Sequence, residues 1–354
     1  MTKDITNTVY AELAKYSTMS LDTLDEEDST FFKNYYGVEL INATSNQAIC
    51  YGNWVKHPQV ILEAYNLTKA KYNSLEKSIP TTSSDLNYTQ FIDQIILYAI
   101  AISGKHQLQH IKGKVMSQTR PSLSYDTDAT YQYAKDIIAA YEELGVSRDN
   151  VIIKIPVTWE SMAAAKKLRE KDNILSLGTV VHSLEQAVVA AEARCEFIAP
   201  YVDPLNENLD PLEHVKGNIL ESFGYKNTET IHKYYKAYGI KTIVLIAAMI
   251  GLDTMLYCSG VDEMTISPLM MNKILNMPVP KDFEFPHLKQ QYTTEEAGPK
   301  LSFIDDKEGY YKAFNADKTA VERLKFANDT FESLDKKSMT LIQNTLIEYN
   351  LIKH

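Results

Sequence analysis

Long apolar runs are missing from this 354-residue chain. None reaches the roughly 18 uninterrupted apolar residues that a membrane-spanning helix needs. The longest, Thr242 to Leu252 (TIVLIAAMIGL), reads as a buried strand with its following loop. The opening residues, MTKDITNTVYAELAKYS, lack the apolar core of a secretory signal. Cysteine is scarce: Cys50, Cys195 and Cys258 are too few and too scattered for a disulfide framework or a metal site such as zinc, so a reducing, cytoplasmic setting is expected. Basic charge is in deficit, with 36 Lys and Arg against 46 Asp and Glu and a net charge of −10. That excludes nucleic acid and anionic membrane as general partners, because both need basic surface. Neither G-x-G-x-x-G nor G-x-x-x-x-G-K-[ST] occurs, so the glycine-rich phosphate loop of a doubly wound open sheet is absent.

What the chain has is the composition of a soluble globular protein, 45% hydrophobic and 23% charged, and a regular alternation. Short apolar runs predict strands at Met19–Thr23, Val38–Ala43, Lys114–Thr119, Val151–Pro156, Ile174–Val181, Phe197–Val202, Thr242–Met249 and Glu263–Ser267. Amphipathic stretches lie between them, among them Tyr88–Ser103, Asp128–Leu144, Trp159–Glu170, Leu184–Ala193, Glu229–Tyr238 and Pro268–Leu275. Strands alternating with helices imply parallel pairing and right-handed crossovers, and continuously apolar runs such as VIIKIP imply strands covered on both faces. Eight such units in roughly 250 residues are the size of a closed barrel. The predicted fold is α/β, a (β/α)₈ TIM barrel with an N-terminal helix, in one domain over residues 1–354. The barrel would span about 18–275. A C-terminal extension over about 276–354 would carry helices at Glu308–Ala316 and Ala320–Glu348.

Lys154 is the most informative position, because a charged side chain in the middle of an apolar strand is expensive to bury unless paired or neutralised. An edge strand could point it at water, but a closed barrel has no edge. An exposed lysine is almost wholly protonated at neutral pH. An amine walled by Ile, Val and Pro loses hydration, which disfavours the ammonium. A neutral amine can attack a ketone and form an iminium, which withdraws electrons so that a nearby carbon–carbon bond can break or form. The C-terminal end of a barrel strand is where such groups sit.

The segment IIKIPVTWESMAAAKKL, with Lys154, Thr158 and Trp159, resembles the Schiff-base motif of the transaldolase family, I-K-[IL]-x-[SA]-T-W-x-G followed by a helix. LSYDT after the third strand and GYYKAFNAD near the end extend the likeness over about residues 5–350. The resemblance implies roles residue by residue. Asp22, in LDTLD, matches the aspartate that moves the proton on the hydroxyl of the breaking bond. Asn46, in NATSNQAI, matches the asparagine of T-T-N-P-S-L that holds the donor's hydroxyl. Thr179 matches the threonine that holds the catalytic water.

The departures bear on substrate. Gln118 stands where the third strand of a transaldolase has glutamate, and an amide positions water without shuttling its proton at neutral pH. The family's I-S-P-F-V-G-R becomes Ile198-Ala199-Pro200-Tyr201-Val202-Asp203-Pro204. Tyr201 would supply the lost proton-handling group, and the Gln/Tyr combination is similar to that of the fructose-6-phosphate aldolases. The phosphate-binding arginines fall at Pro204 and Ile250, and neighbouring polar positions fall at Ala199 and Leu177. Arg120 and His182 are the candidates to compensate.

The reading is a transaldolase-like class I aldolase or lyase. Lys154 is its nucleophile, with Asp22, Gln118, Thr179 and Tyr201 in the catalytic set. Asn46, Ala199, Leu177, Ile250, Arg120 and His182 would lie around a small-molecule carbonyl substrate, non-phosphorylated or unusual. No metal or organic cofactor is implied, since the lysine is itself the electron sink. Relatives form dimers or larger assemblies, so a homodimer is compatible. The alternatives are a genuine transaldolase moving a dihydroxyacetone unit between sugar phosphates, and a catalytically silent barrel that binds a ligand.

Overall fold

The computed structural model describes residues 2–210 and 217–353. Eight parallel strands close into a barrel in chain order. They are β1 (Thr18–Leu21), β2 (Ala43–Thr44), β3 (Val115–Gln118), β4 (Val151–Pro156), β5 (Leu175–Val181), β6 (Phe197–Pro200), β7 (Ile243–Ile246) and β8 (Glu263–Ile266). β8 pairs back onto β1, Leu21 beside Ile266, and leaves no edge. β4 is buried along its whole length, as a strand must be when helices cover its outside and side chains fill its inside.

The inward and outward faces follow from one register. Ser117 and Ile153 are cross-strand partners, and the Ser117 hydroxyl lies 2.7 Å from Tyr141 Oη on the covering helix Thr127–Glu143. That face is the outside. Strand alternation therefore puts Lys154 on the inside, beside Leu177 of β5.

The six helices predicted between strands all form, at Tyr88–Gln107, Thr127–Glu143, Trp159–Asp172, Leu184–Glu192, Phe223–Tyr238 and Pro268–Leu275. A short N-terminal helix occupies Val9–Leu13, and Gln47–Lys56 and Gln59–Ser74 fill the connection from β2 towards β3. The strand expected at Val38–Ala43 is displaced. Val38 and Leu40 are buried, but Leu40 O and Ile41 O accept from Lys112 N and Gly113 N at 3.0 and 2.7 Å. The apolar run is thus a covered lead-in, and ladder pairing begins only at Ala43. β7 ends before the expected Met249 because Ala248 turns to φ 56°.

The C-terminal part packs on the barrel through the long helix Lys318–Glu348. Its buried residues Ala320, Leu324, Ala327 and Phe331 recur at the three- and four-residue spacing of a helical stripe. Trp159 Nε1 donates to Phe303 O at 3.0 Å and Tyr311 Oη to Glu160 at 2.5 Å, fixing the preceding segment to the helix that follows β4. Among the described residues, no helix is long and apolar enough to cross a membrane.

Candidate active site

Lys154 is the fourth residue of β4 and is 4% exposed. Its Nζ donates to Ser45 O at 3.0 Å, past the end of β2. The bond bypasses β3, so the side chain crosses the barrel interior. Among the described residues Lys154 forms no ion pair with a carboxylate.

Asp22 follows β1 on the same interior. Thr265 Oγ1 lies 2.5 Å from Thr44 Oγ1, which donates to Asp22 Oδ1 at 2.5 Å. Burial raises the Asp22 carboxyl above the ordinary range, opposed by the positive charge of Lys154 and the Thr44 hydrogen bond. A carboxyl poised upward and facing an amine suits proton transfer. One layer lower, Glu263 Oε1 accepts from Asn42 Nδ2 at 2.8 Å and from the Ser20 hydroxyl, and its carboxyl is raised by burial. Thr44, Thr265, Ser45 and Glu263 escape sequence reasoning because threonine, serine or a strand-end acid is ordinary in a strand. Only the closed register sets them against Asp22 and Lys154.

The predicted residues divide. Thr179 and Tyr201 come together, Thr179 Oγ1 donating to Tyr201 Oη at 3.4 Å. Leu177 beside Lys154 and Ala199 beside Thr179 are fully buried in the wall beneath them. Gln118 is in register with Lys154, yet its amide is engaged elsewhere. Oε1 lies 2.6 Å from Ser45 Oγ, and Nε2 donates to Cys50 Sγ at 3.0 Å. Asn46 caps the helix Gln47–Lys56 through Oδ1, which accepts from Ile49 N at 3.0 Å, so its NH₂ is not used by the cap.

Arg120 is not available to a substrate. It pairs with Asp93 at 2.7 Å and Asp335 at 3.2 Å and lies over the Tyr133 ring. Withdrawing it would strand two partly buried carboxylates, so it ties the C-terminal helix to the barrel. Ile250 and Pro204 reach the rim, where the Asp203 carboxylate accepts from Ile250 N at 2.8 Å and Thr254 Oγ1 at 3.0 Å.

β5 carries a bulge that aims the remaining groups. Val180 sits at φ 60°, a strained conformation for a β-branched residue, and the β5–β6 register shifts there. Buried Gln186 enforces it. Its Nε2 donates to Val157 O and Val180 O at 2.9 and 3.1 Å, and its Oε1 accepts from His182 N at 2.7 Å. The His182 ring then meets Tyr201 edge-on, centroids 5.8 Å apart. Burial, with help from the Arg323 charge, pushes His182 down to about 3, so it is neutral. No group of three or more metal-ligating side chains occurs among the described residues.

A family model described as transaldolase/fructose-6-phosphate aldolase matches residues 19–338. Among similar proteins, the transaldolase of Saccharomyces cerevisiae is 37% identical over 246 residues, covering 66% of this chain and 71% of that protein. The transaldolase of Fusarium oxysporum is 33% identical over 259 residues, covering 71% and 79%. That of Sus scrofa is 32% identical over 255 residues, covering 70% and 72%.

Proposed function

Because this chain belongs to the transaldolase/fructose-6-phosphate aldolase family, an aldolase and transferase class of enzyme, we propose that it is a transaldolase moving a three-carbon ketol unit between sugars. Lys154 Nζ attacks the ketose carbonyl and forms the iminium with loss of water. Asp22 takes the proton from the hydroxyl of the breaking bond, the aldehyde half leaves, and the bound enamine attacks a second aldehyde. Asp22 then returns the proton, and water releases the new ketose. Thr179 and Tyr201 hold that water. Gln118 keeps Ser45 in place, and so the carbonyl that Lys154 touches. Asn46 orients the donor with its NH₂.

The observation that carries this reading is the Lys154 side chain crossing a buried interior with a backbone carbonyl and, among the described residues, no carboxylate as its partner. The test is a coupled assay with fructose 6-phosphate and erythrose 4-phosphate. Turnover to a seven-carbon ketose phosphate supports the reading. Lys154 adducts without transfer would leave only an aldolase.

A second reading is an aldolase for an unphosphorylated carbonyl compound. Pro204 and Ile250 favour it, because neither can grip phosphate oxygens as an arginine's fork would. It requires faster cleavage of fructose than of fructose 6-phosphate. A reducing, cytoplasmic setting belongs to either reading, and the three free, buried cysteines suit it.

A further inference from the structure

Three buried polar groups lack hydrogen-bond partners in one neighbourhood of the mouth. His182 is 2% exposed, and neither ring nitrogen has a partner among the described residues. Arg323 Nη1, on the C-terminal helix, is buried without one, as is Asn227 Nδ2. The Arg323 guanidinium lies 4.7 Å from the Phe223 ring centre, and Asn227 is one helical turn beyond Phe223 on the helix Phe223–Tyr238. Its positive charge is felt at His182. Phe223 and Asn227 line a cleft of about 760 Å³ with Ser183, Glu185, Lys226, Asp317 and Lys318. Asn227 thus opens on that cleft, while His182 meets Tyr201 at the inner side.

Buried donors are nearly always paired, and an unpaired one marks a missing acceptor. Here the donors are a neutral imidazole N–H, an amide NH₂ and a guanidinium, all of which favour an oxyanion with several acceptor atoms. Asp203, Glu207 and Asp317 act on Arg323 through their charge, but Arg323 makes no ion pair among the described residues, and at the cleft Lys226 and Lys318 stand beside Glu185 and Asp317.

We propose that Arg323, Asn227 and His182 form a pocket for the phosphate at the end of a sugar substrate away from Lys154. This rests on the transaldolase reading and names its substrate class. The phosphate is relocated, carried by the C-terminal helix instead of the rim at Pro204 and Ile250.

Two measurements test it separately from the lysine chemistry. Inorganic phosphate is titrated calorimetrically into the wild-type protein, Arg323→Gln, Arg323→Lys and Asn227→Ala, after melting temperatures show each variant folded. Wild type is expected to bind, Arg323→Gln to weaken binding by roughly 10-fold or more, and the other two to fall between. Borohydride trapping then gives half-saturating concentrations for fructose 6-phosphate and fructose. The preference for the phosphorylated sugar is expected to drop by roughly 10-fold or more in Arg323→Gln. Phosphate binding or preference that is unchanged in Arg323→Gln, or no phosphate binding by wild type, would overturn the pocket. Phosphate binding that depends on Arg323 without any Lys154 adduct would keep the pocket and overturn the catalytic reading.

Discussion

Replacing Gln186 with leucine keeps the volume of a fully buried side chain and removes the brace behind the β5 bulge. Three buried groups lose their partner: Val157 O, Val180 O and His182 N. Each unsatisfied buried group costs about 1–3 kcal/mol, so the loss after partial relaxation is about 3–6 kcal/mol. Val180, at φ 60°, is then free to relax, which would draw Thr179 and His182 off their aim. Urea unfolding measures the first effect, and the yield of a Lys154 adduct with dihydroxyacetone measures the second. A stability loss under about 1 kcal/mol with an unchanged adduct yield would refute the argument, since one ordinary hydrogen bond is of that size.

Other substitutions separate the remaining roles. Asp22→Asn should lower turnover by roughly 10²–10⁴-fold while the dihydroxyacetone adduct on Lys154 still forms; loss of both would make Asp22 structural. Glu263 holds its proton more tightly folded than unfolded. Stability at this site therefore falls as pH rises through the window above the ordinary glutamate value of about 4.3, and what is lost there is not regained at neutral pH. Glu263→Gln should flatten that decline in urea midpoints measured from about pH 4 to 7; parallel profiles would count against it. Asp335→Ala leaves Arg120 with Asp93 alone, and should cost about 1–3 kcal/mol and speed proteolysis within Lys318–Glu348.

The barrel was legible because its strands are apolar on both faces, and Lys154 stood out as the charge interrupting β4. The boundaries were less so. Val38 and Leu40 are apolar because they are covered, and their segment's two backbone bonds to Lys112 and Gly113 lie outside the strand ladder; hydrophobicity alone does not separate the two. Arg120 looked like an anion ligand until the fold brought Asp93 and Asp335 to it across long separations. Arg323 carries no signal in the sequence, and only the packing of its helix gives its buried nitrogen meaning. Thr44, Thr265 and Gln186 are unremarkable residue types whose importance lies wholly in register.

Borohydride reduction in the presence of dihydroxyacetone, followed by peptide mass analysis, tests the central claim most directly. The expected result is one adduct, of the mass of the reduced three-carbon unit, on the peptide containing Lys154, and none in Lys154→Ala. An adduct on a different lysine, or none under any ketose, would contradict it.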